Sequence, residues 1–194
     1  MNPRATQACV PAAFERRYRA EPDPWHFATS AYERERYEIT LQALTRDGYA
    51  NAFEPGCSIG ELTALLATRC DRLLATDVSP TAVEKARRRC AEYDNVRIEC
   101  GDLRTASLNA PLDLVVLSEV AYYFPVKQLE AIANRLAAAL VVGGTLLAVH
   151  WLGESVDHIL HGDEAHEVLL RALPLQHVTA QRHPGFRIDT WVRG

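Results

Sequence analysis

The chain has 194 residues, enough for one domain with its own core, and its 21 basic and 25 acidic residues leave a net charge of −4. No basic block is present: Arg87-Arg88-Arg89 is the densest cationic spot, and Glu84, Glu92 and Asp94 flank it on what reads as a solvated helix, so nucleic acid is not expected as a partner. No apolar run approaches the length of a membrane span, and the start lacks the apolar stretch of a signal peptide, so no membrane partner is expected. Its 5 cysteines are odd in number and show no C-x-x-C spacing, which reads as reduced thiols in a cytoplasmic protein.

In chain order, Met1 to Ala13 shows no periodicity. Phe14 to Phe27 is rich in aromatics, and two prolines around Asp23 make a stiff turn that fixes where Trp25 points. Ala31 to Leu44 reads as a helix with Tyr37, Leu41 and Leu44 at core spacing. Residues 1–46 thus read either as a helix and loop packed on a sheet, or as a helical lid whose aromatics close over a site. The next segment, from Ala50 to Glu54, reads as a strand entering a glycine turn, Gly56-Cys57-Ser58-Ile59-Gly60, and then a helix carrying Leu62, Leu65 and Leu66. A second strand ends at Asp77, and Ser79-Pro80 opens a helix to about Tyr93. Asn95 to Cys100 is the third strand, followed by Gly101-Asp102-Leu103. The fourth, Leu112 to Leu117, runs into Ser118-Glu119-Val120-Ala121-Tyr122-Tyr123. A helix from Pro125 to Leu140 precedes a Gly143-Gly144 turn into the fifth strand, Thr145 to His150. After a loop from Trp151 to Gly162, Asp163 caps a helix that Pro174 stops. His177 to Arg182 and Phe186 to Val192 form a hairpin through His183-Pro184-Gly185.

The glycine turn decides the class. An acid at the end of a second strand, here Asp77, is placed to hold a ribose through its hydroxyls, so a nucleoside-containing cofactor is the first hypothesis. A phosphate-binding loop needs a Lys-Ser/Thr pair, but Glu61-Leu62 follows the last glycine. The dinucleotide fingerprint needs a glycine where Ser58 stands and another at Leu62 or Thr63. Gly56-Cys57-Ser58-Ile59-Gly60 also matches the nucleophile elbow of α/β-hydrolases, yet only one strand precedes Ser58. What remains resembles the acid-x-Gly-x-Gly-x-Gly loop of class I methyltransferases that use S-adenosylmethionine, with Glu54 as the acid and Ser58 replacing the middle glycine. That replacement is tolerable provided position 58 does not need φ > 0. Five parallel strands followed by an antiparallel pair is the topology of that class. The expected fold is therefore α/β: a Rossmann-like seven-stranded methyltransferase sheet of order 3-2-1-4-5-7-6, last strand antiparallel, helices on both faces, in a single domain spanning 1–194.

The chain resembles the NodS-type nodulation methyltransferase family. Asp23-Pro24-Trp25, Tyr32-Glu33-Arg34-Glu35-Arg36-Tyr37, Phe53 to Gly60 and Asp77-Val78-Ser79-Pro80 carry the likeness, with Leu117-Ser118-Glu119-Val120 and Val149-His150-Trp151 adding to it. The resemblance implies S-adenosylmethionine as cofactor. It also points to an amino-sugar acceptor, since NodS N-methylates the freed amine at one end of a chito-oligosaccharide.

In this frame Glu54 holds the methionine end, Gly56 and Gly60 let the backbone approach, and Asp77 with Val78 clamps the ribose. Asp102 and Leu103 frame adenine, and Trp25, Tyr32 and Arg36 close the methionine side. Ser58 and Ser118 join the cofactor set, as does Cys57, which also reads as a small residue packed under the turn.

Methyl transfer from a sulfonium is an in-line displacement, and aligning the reactants can supply about 7–11 kcal/mol of the barrier. An amine acceptor must also lose a proton to a nearby carboxylate or imidazole. Glu119 leads as that base, its alternative role being to cap the following turn. His150 is the next candidate; His166 points inward from its helix and reads as catalytic or as a core histidine. Tyr122, Tyr123 and Trp151 read as a stacking surface for a small-molecule acceptor or as packing. His158, His161, Asp163 and His166 match no standard ligand spacing, so no metal is expected. Two rivals stay open: O-methylation of a sugar or small metabolite, and a non-catalytic cofactor-binding partner protein.

Overall fold

The computed structural model describes residues 10–108 and 111–194, so the expectation for Met1 to Cys9 lies outside the described residues. Seven strands form one sheet: β1 (Ala52–Pro55), β2 (Leu73–Asp77), β3 (Val96–Cys100), β4 (Leu112–Ser118), β5 (Leu140–Trp151), β6 (Gln176–His183) and β7 (Phe186–Val192). Their order is β3-β2-β1-β4-β5-β7-β6, with β1 to β5 parallel and β7 antiparallel to both β5 and β6. The expected topology is the observed one. The strand order reverses between β1 and β4, and a crevice opens at that reversal beyond the strands' carboxyl ends.

Period-two alternation distributes the core. Leu114 and Val116 face Leu62 and Leu66 of α3 (Glu61–Ala67) and Tyr37 of α2 (Ala31–Gln42) on one side of the sheet. Val115 and Leu117 face the other side, where α5 (Val126–Ala139) contributes Leu129, Ile132 and Leu136, and α6 (Gly162–Ala172) contributes Val168 and Leu169. Near the β2 end, α4 (Pro80–Arg89) lays Val83 and Ala86 on Ala75 and Ile98.

Serine caps two helices, Ser79 as expected from the sequence and Ser30 in addition. Ser79 accepts the Ala82 N–H at 3.1 Å at the start of α4, and Ser30 accepts the Glu33 N–H at 3.3 Å at the start of α2. Elsewhere the boundaries differ. The α4 helix ends at Arg89, short of Tyr93, which closes a turn by donating its N–H to the Cys90 carbonyl at 3.0 Å. β5 begins at Leu140 and runs through both glycines, because it pairs with β4 already at Leu112, across an irregularity in register before Leu114. At α6 the cap is His161 and not Asp163: the Glu164 carboxylate accepts the His161 N–H at 2.7 Å, and Asp163 instead holds Arg182 at 2.7 and 2.9 Å.

A further helix, α1 (Pro11–Ala20), occupies a stretch that showed no pattern beyond its aromatics. Proline at its first position and Phe14 and Tyr18 one turn apart were its only signals. It is moored by Glu15, whose carboxylate accepts from the Ser79 hydroxyl at 2.6 Å, the Thr81 hydroxyl at 2.8 Å and the Thr81 N–H at 3.1 Å. Those bonds, led by Ser79, outweigh desolvation and bring Glu15 down to about 2. The Asp23 turn follows, its carboxylate accepting the Phe27 and Ala28 N–H groups at 2.9 and 2.8 Å, and Trp25 stacks on Phe27 at 5.8 Å. Among the described residues no helix is long and apolar enough to cross a membrane.

Candidate active site

At the topological switch lies a cavity of about 370 Å³, roofed by α1, the Trp25 turn and α2. All of the expected site residues line it except Gly60, His150 and His166.

The glycine turn is its floor. Gly56 sits at φ 76°, where a Cβ would lie 2.1 Å from Cγ1 of Val120, so only a bare backbone fits between turn and β4 loop. Gly60, at φ 86°, lies outside the cavity and packs on α4, where a Cβ would approach Cα of Ala86 to 3.0 Å. Ser58 departs from expectation: its φ is 52°, so the position does require the left-handed region. The strain, about 1 kcal/mol for a residue with a Cβ, is held by two bonds. Its N–H donates to Asp77 at 3.0 Å, and its hydroxyl accepts from Tyr18 at 2.6 Å.

Asp77 also accepts the Ser79 N–H at 2.9 Å on its other oxygen, and the Val78 backbone adds a third bond. Desolvation outweighs those bonds and pushes Asp77 up to about 6. Glu54 is more isolated: its Oε2 is buried without a hydrogen-bond partner, and burial, opposed by Thr63, pushes it up to about 7. Asp102 is bound by the Arg104 guanidinium, which outweighs desolvation and lowers its pKa.

Arg36 of α2 is 1% exposed and bridges two carboxylates, Glu33 one turn before it and Glu119 at 2.5 Å. Its Nε has no hydrogen-bond partner, and neither has the buried Tyr32 hydroxyl. Residues lining the cavity thus carry several buried polar atoms without hydrogen-bond partners. Three are two donors, Tyr32 Oη and Arg36 Nε, and one acceptor, Glu54 Oε2; His158 Nδ1 is another, and Arg36 Nη1 and Glu61 Oε1 have ion pairs alone.

The candidate bases are arranged differently from the sequence reading. Glu119, at φ 58°, is engaged on both oxygens: Oε1 pairs with Arg36 and accepts the Trp151 N–H at 2.7 Å, and Oε2 accepts the Tyr122 hydroxyl at 2.5 Å. It ties the wall together, joining the second helix, the fourth-strand loop and the end of the fifth strand. His150 is 0% exposed and does not reach the cavity. Its Nε2 accepts the Ala121 N–H at 2.9 Å, so Nδ1 carries the proton and donates to His166 Nε2 at 3.0 Å. His166 in turn donates from Nδ1 to Asp189 at 2.6 Å. Both rings are neutral and fully bonded, and burial lowers the pKa of each. The β5 residue His150 therefore supports the 3₁₀ turn Ala121–Tyr123 from beneath.

The wall beyond β4 and β5 holds Tyr122, Tyr123 and Trp151, as expected, and His158, which sequence reasoning noted only in a metal pattern that it rejected. His158 stacks on Tyr122 with centroids 3.7 Å apart. Phe14 of α1 meets Tyr123 edge-on at 5.0 Å, a wall contact visible only after folding. Among the described residues no group of three or more His, Cys, Asp or Glu side chains is arranged to hold a metal ion.

Sheet order, switch-point cavity and acid-flanked glycine turn are those of the class I S-adenosylmethionine-dependent methyltransferase fold. The family model of nodulation protein S (NodS) matches residues 6–161, and the chain belongs to that family. It is 37% identical over 130 residues to nodulation protein S of Bradyrhizobium diazoefficiens, covering 66% of this chain and 62% of that protein. It is 32% identical over 140 residues to the Sinorhizobium fredii protein, covering 71% and 63%. The chain thus spans about three fifths of the length of these curated relatives. The crystal structure of the N-methyltransferase NodS from Bradyrhizobium japonicum WM9, in complex with S-adenosyl-L-homocysteine, superposes with a TM-score of 0.83 at 25% identity over 98% of both chains.

Proposed function

We propose that this protein transfers a methyl group from S-adenosylmethionine to the nitrogen of a small polar amine, an amino-sugar by the likeness to NodS. The observation that carries the reading is the trio of unpartnered buried atoms. Tyr32 Oη and Arg36 Nε offer hydrogen bonds to a carboxylate, and Glu54 Oε2 offers an acceptor to an ammonium. That is the complement of an amino-acid zwitterion, the methionine end of the cofactor. Asp77 would take the ribose hydroxyls, with Val78 beside it, and Asp102 and Leu103, in the same lining, would frame the adenine. When bound, the cofactor supplies a sulfonium-activated methyl group.

Cationic ligands suit this cavity. Its lining holds Glu33, Glu54, Glu61, Asp77, Asp102 and Glu119 against only Arg36 and Arg104, a balance that favours a protonated amine on approach. The aromatic wall of Tyr122, Tyr123 and Trp151 would pack an apolar sugar face, and residues 1–46 would serve as the lid within a single-domain protein. The cysteines support a cytoplasmic location, since Cys57, Cys70, Cys90 and Cys100 are all free thiols.

The test has two parts. Calorimetry should show S-adenosylhomocysteine binding that Asp77→Ala weakens about 100-fold; unchanged affinity would sink the cofactor site. Labelled methyl transfer to glucosamine-terminated chito-oligosaccharides should then disappear when the amine is acetylated. Transfer surviving acetylation would favour the hydroxyl as acceptor.

A further inference from the structure

We infer that His158 is the residue that takes the acceptor's N–H hydrogen bond and its departing proton, a role that rests on the amine reading above. Every other group considered for that task is occupied or out of reach. Glu119 is engaged by Arg36, Trp151 and Tyr122, and the Tyr122 hydroxyl donates to Glu119. His150 and His166 are sealed beneath the turn with their nitrogens engaged. Glu33 is paired with Arg36.

His158 differs in each respect. It lines the cavity, its Nδ1 has no hydrogen-bond partner, and its ring lies flat on Tyr122, with Tyr123 edge-on at 5.3 Å and Trp151 edge-on at 6.1 Å. Its backbone is fixed from both sides. The Tyr122 carbonyl accepts the N–H groups of Ile159 and Leu160 at 3.0 and 3.1 Å, and Asp157 pairs with Arg17 of the α1 roof at 2.6 Å. Desolvation outweighs the pull of Asp157 and brings the imidazole down to about 4, so it stands neutral at physiological pH with a lone pair to offer.

A neutral imidazole can accept an N–H of the amine and so turn the nitrogen lone pair towards the donor methyl. The incoming ammonium first loses one proton to solvent; the freed nitrogen lone pair then forms the new N–C bond, and the pair of the broken C–S bond stays on sulfur. The N–H proton leaves along the hydrogen bond to the imidazole and on to water, its bonding pair remaining on nitrogen.

Two variants separate this from a packing role. His158→Phe keeps a ring on Tyr122 but has no lone pair, whereas His158→Ala opens a space that free imidazole can enter. The probe is a chito-oligosaccharide with one free terminal amine. Both variants should bind S-adenosylhomocysteine as wild type does. Calorimetric binding of the probe to the loaded protein should weaken about tenfold, and kcat should fall about 100-fold. Added imidazole should restore at least tenfold in the alanine variant alone. A phenylalanine variant within threefold of wild type in both binding and kcat overturns the assignment and leaves the amine reading standing. A wild-type protein that binds S-adenosylhomocysteine but methylates no free-amine oligosaccharide overturns both.

Discussion

Arg36 and Glu119 meet at 2.5 Å across the roof of the cavity, joining the helix that precedes the sheet to the loop that leaves its fourth strand. The pair is charged, almost sealed from water, and completed by Glu33 on the same helix. A buried pair of this kind does not guarantee stability, but removing one member leaves a charge stranded.

Arg36→Ala would therefore leave both Glu33 and Glu119 unmatched. Urea unfolding should show a loss of about 3 kcal/mol, with cofactor-analogue binding weakened in step. A stability change under 1 kcal/mol would mean that water re-solvates the two carboxylates at little cost.

On the proposed reading, Glu54 should make cofactor affinity depend on pH. Burial holds its folded pKa at about 7, so below that value it is largely protonated and a poor partner for an ammonium. Binding a cation requires the ionised form and expels the proton. S-adenosylhomocysteine affinity should accordingly fall as pH drops from 8 towards 5.5, approaching tenfold per pH unit. Glu54→Gln should bind more weakly and with a flat profile. A flat wild-type profile would remove Glu54 from the ammonium site.

The His150–His166–Asp189 chain sets a second pH dependence, this time in stability. Both histidines have folded pKa values below the ordinary 6.5, so the unfolded chain binds more protons below that pH and their contribution is lost as pH falls. Asp189 in the same cluster also accepts from Arg187 at 2.6 Å and pairs with His177 at 2.7 Å. Glu54 and Asp77 act in the opposite sense. Their folded pKa values of about 7 and about 6 lie above the unfolded ones, so their share is lost as pH rises through those values. Comparing wild type with His150→Gln isolates the histidine share. The variant should be the less stable at pH 7, and the gap should narrow by pH 5 as wild type loses its advantage. A constant gap would show that His150 titrates alike in the folded and unfolded states over this range.

The departures from the sequence reading share one origin. Ser58 was acceptable in the glycine turn on the condition of an ordinary φ; the fold gives it φ 52° and supplies Asp77 and Tyr18 as restraints, both distant in sequence. Glu119 and His150 lay at the right strand ends, and that placement is correct in the structure. Their bonding partners Arg36, Trp151, Ala121 and His166 reach them only through tertiary packing. His158 sat in a loop with no periodicity, where nothing local indicated that its ring would stack on Tyr122.

The sequence alone determined the sheet, its order through family likeness, and the cofactor loop, because strand alternation, glycine turns and an acid at a strand end are properties of neighbours along the chain. Folding decided which polar atoms are spent and which are spare. Hydrogen-bond pairing depends on groups brought together from far apart; it left Tyr32 Oη, Arg36 Nε and Glu54 Oε2 without partners while engaging both ring nitrogens of His150.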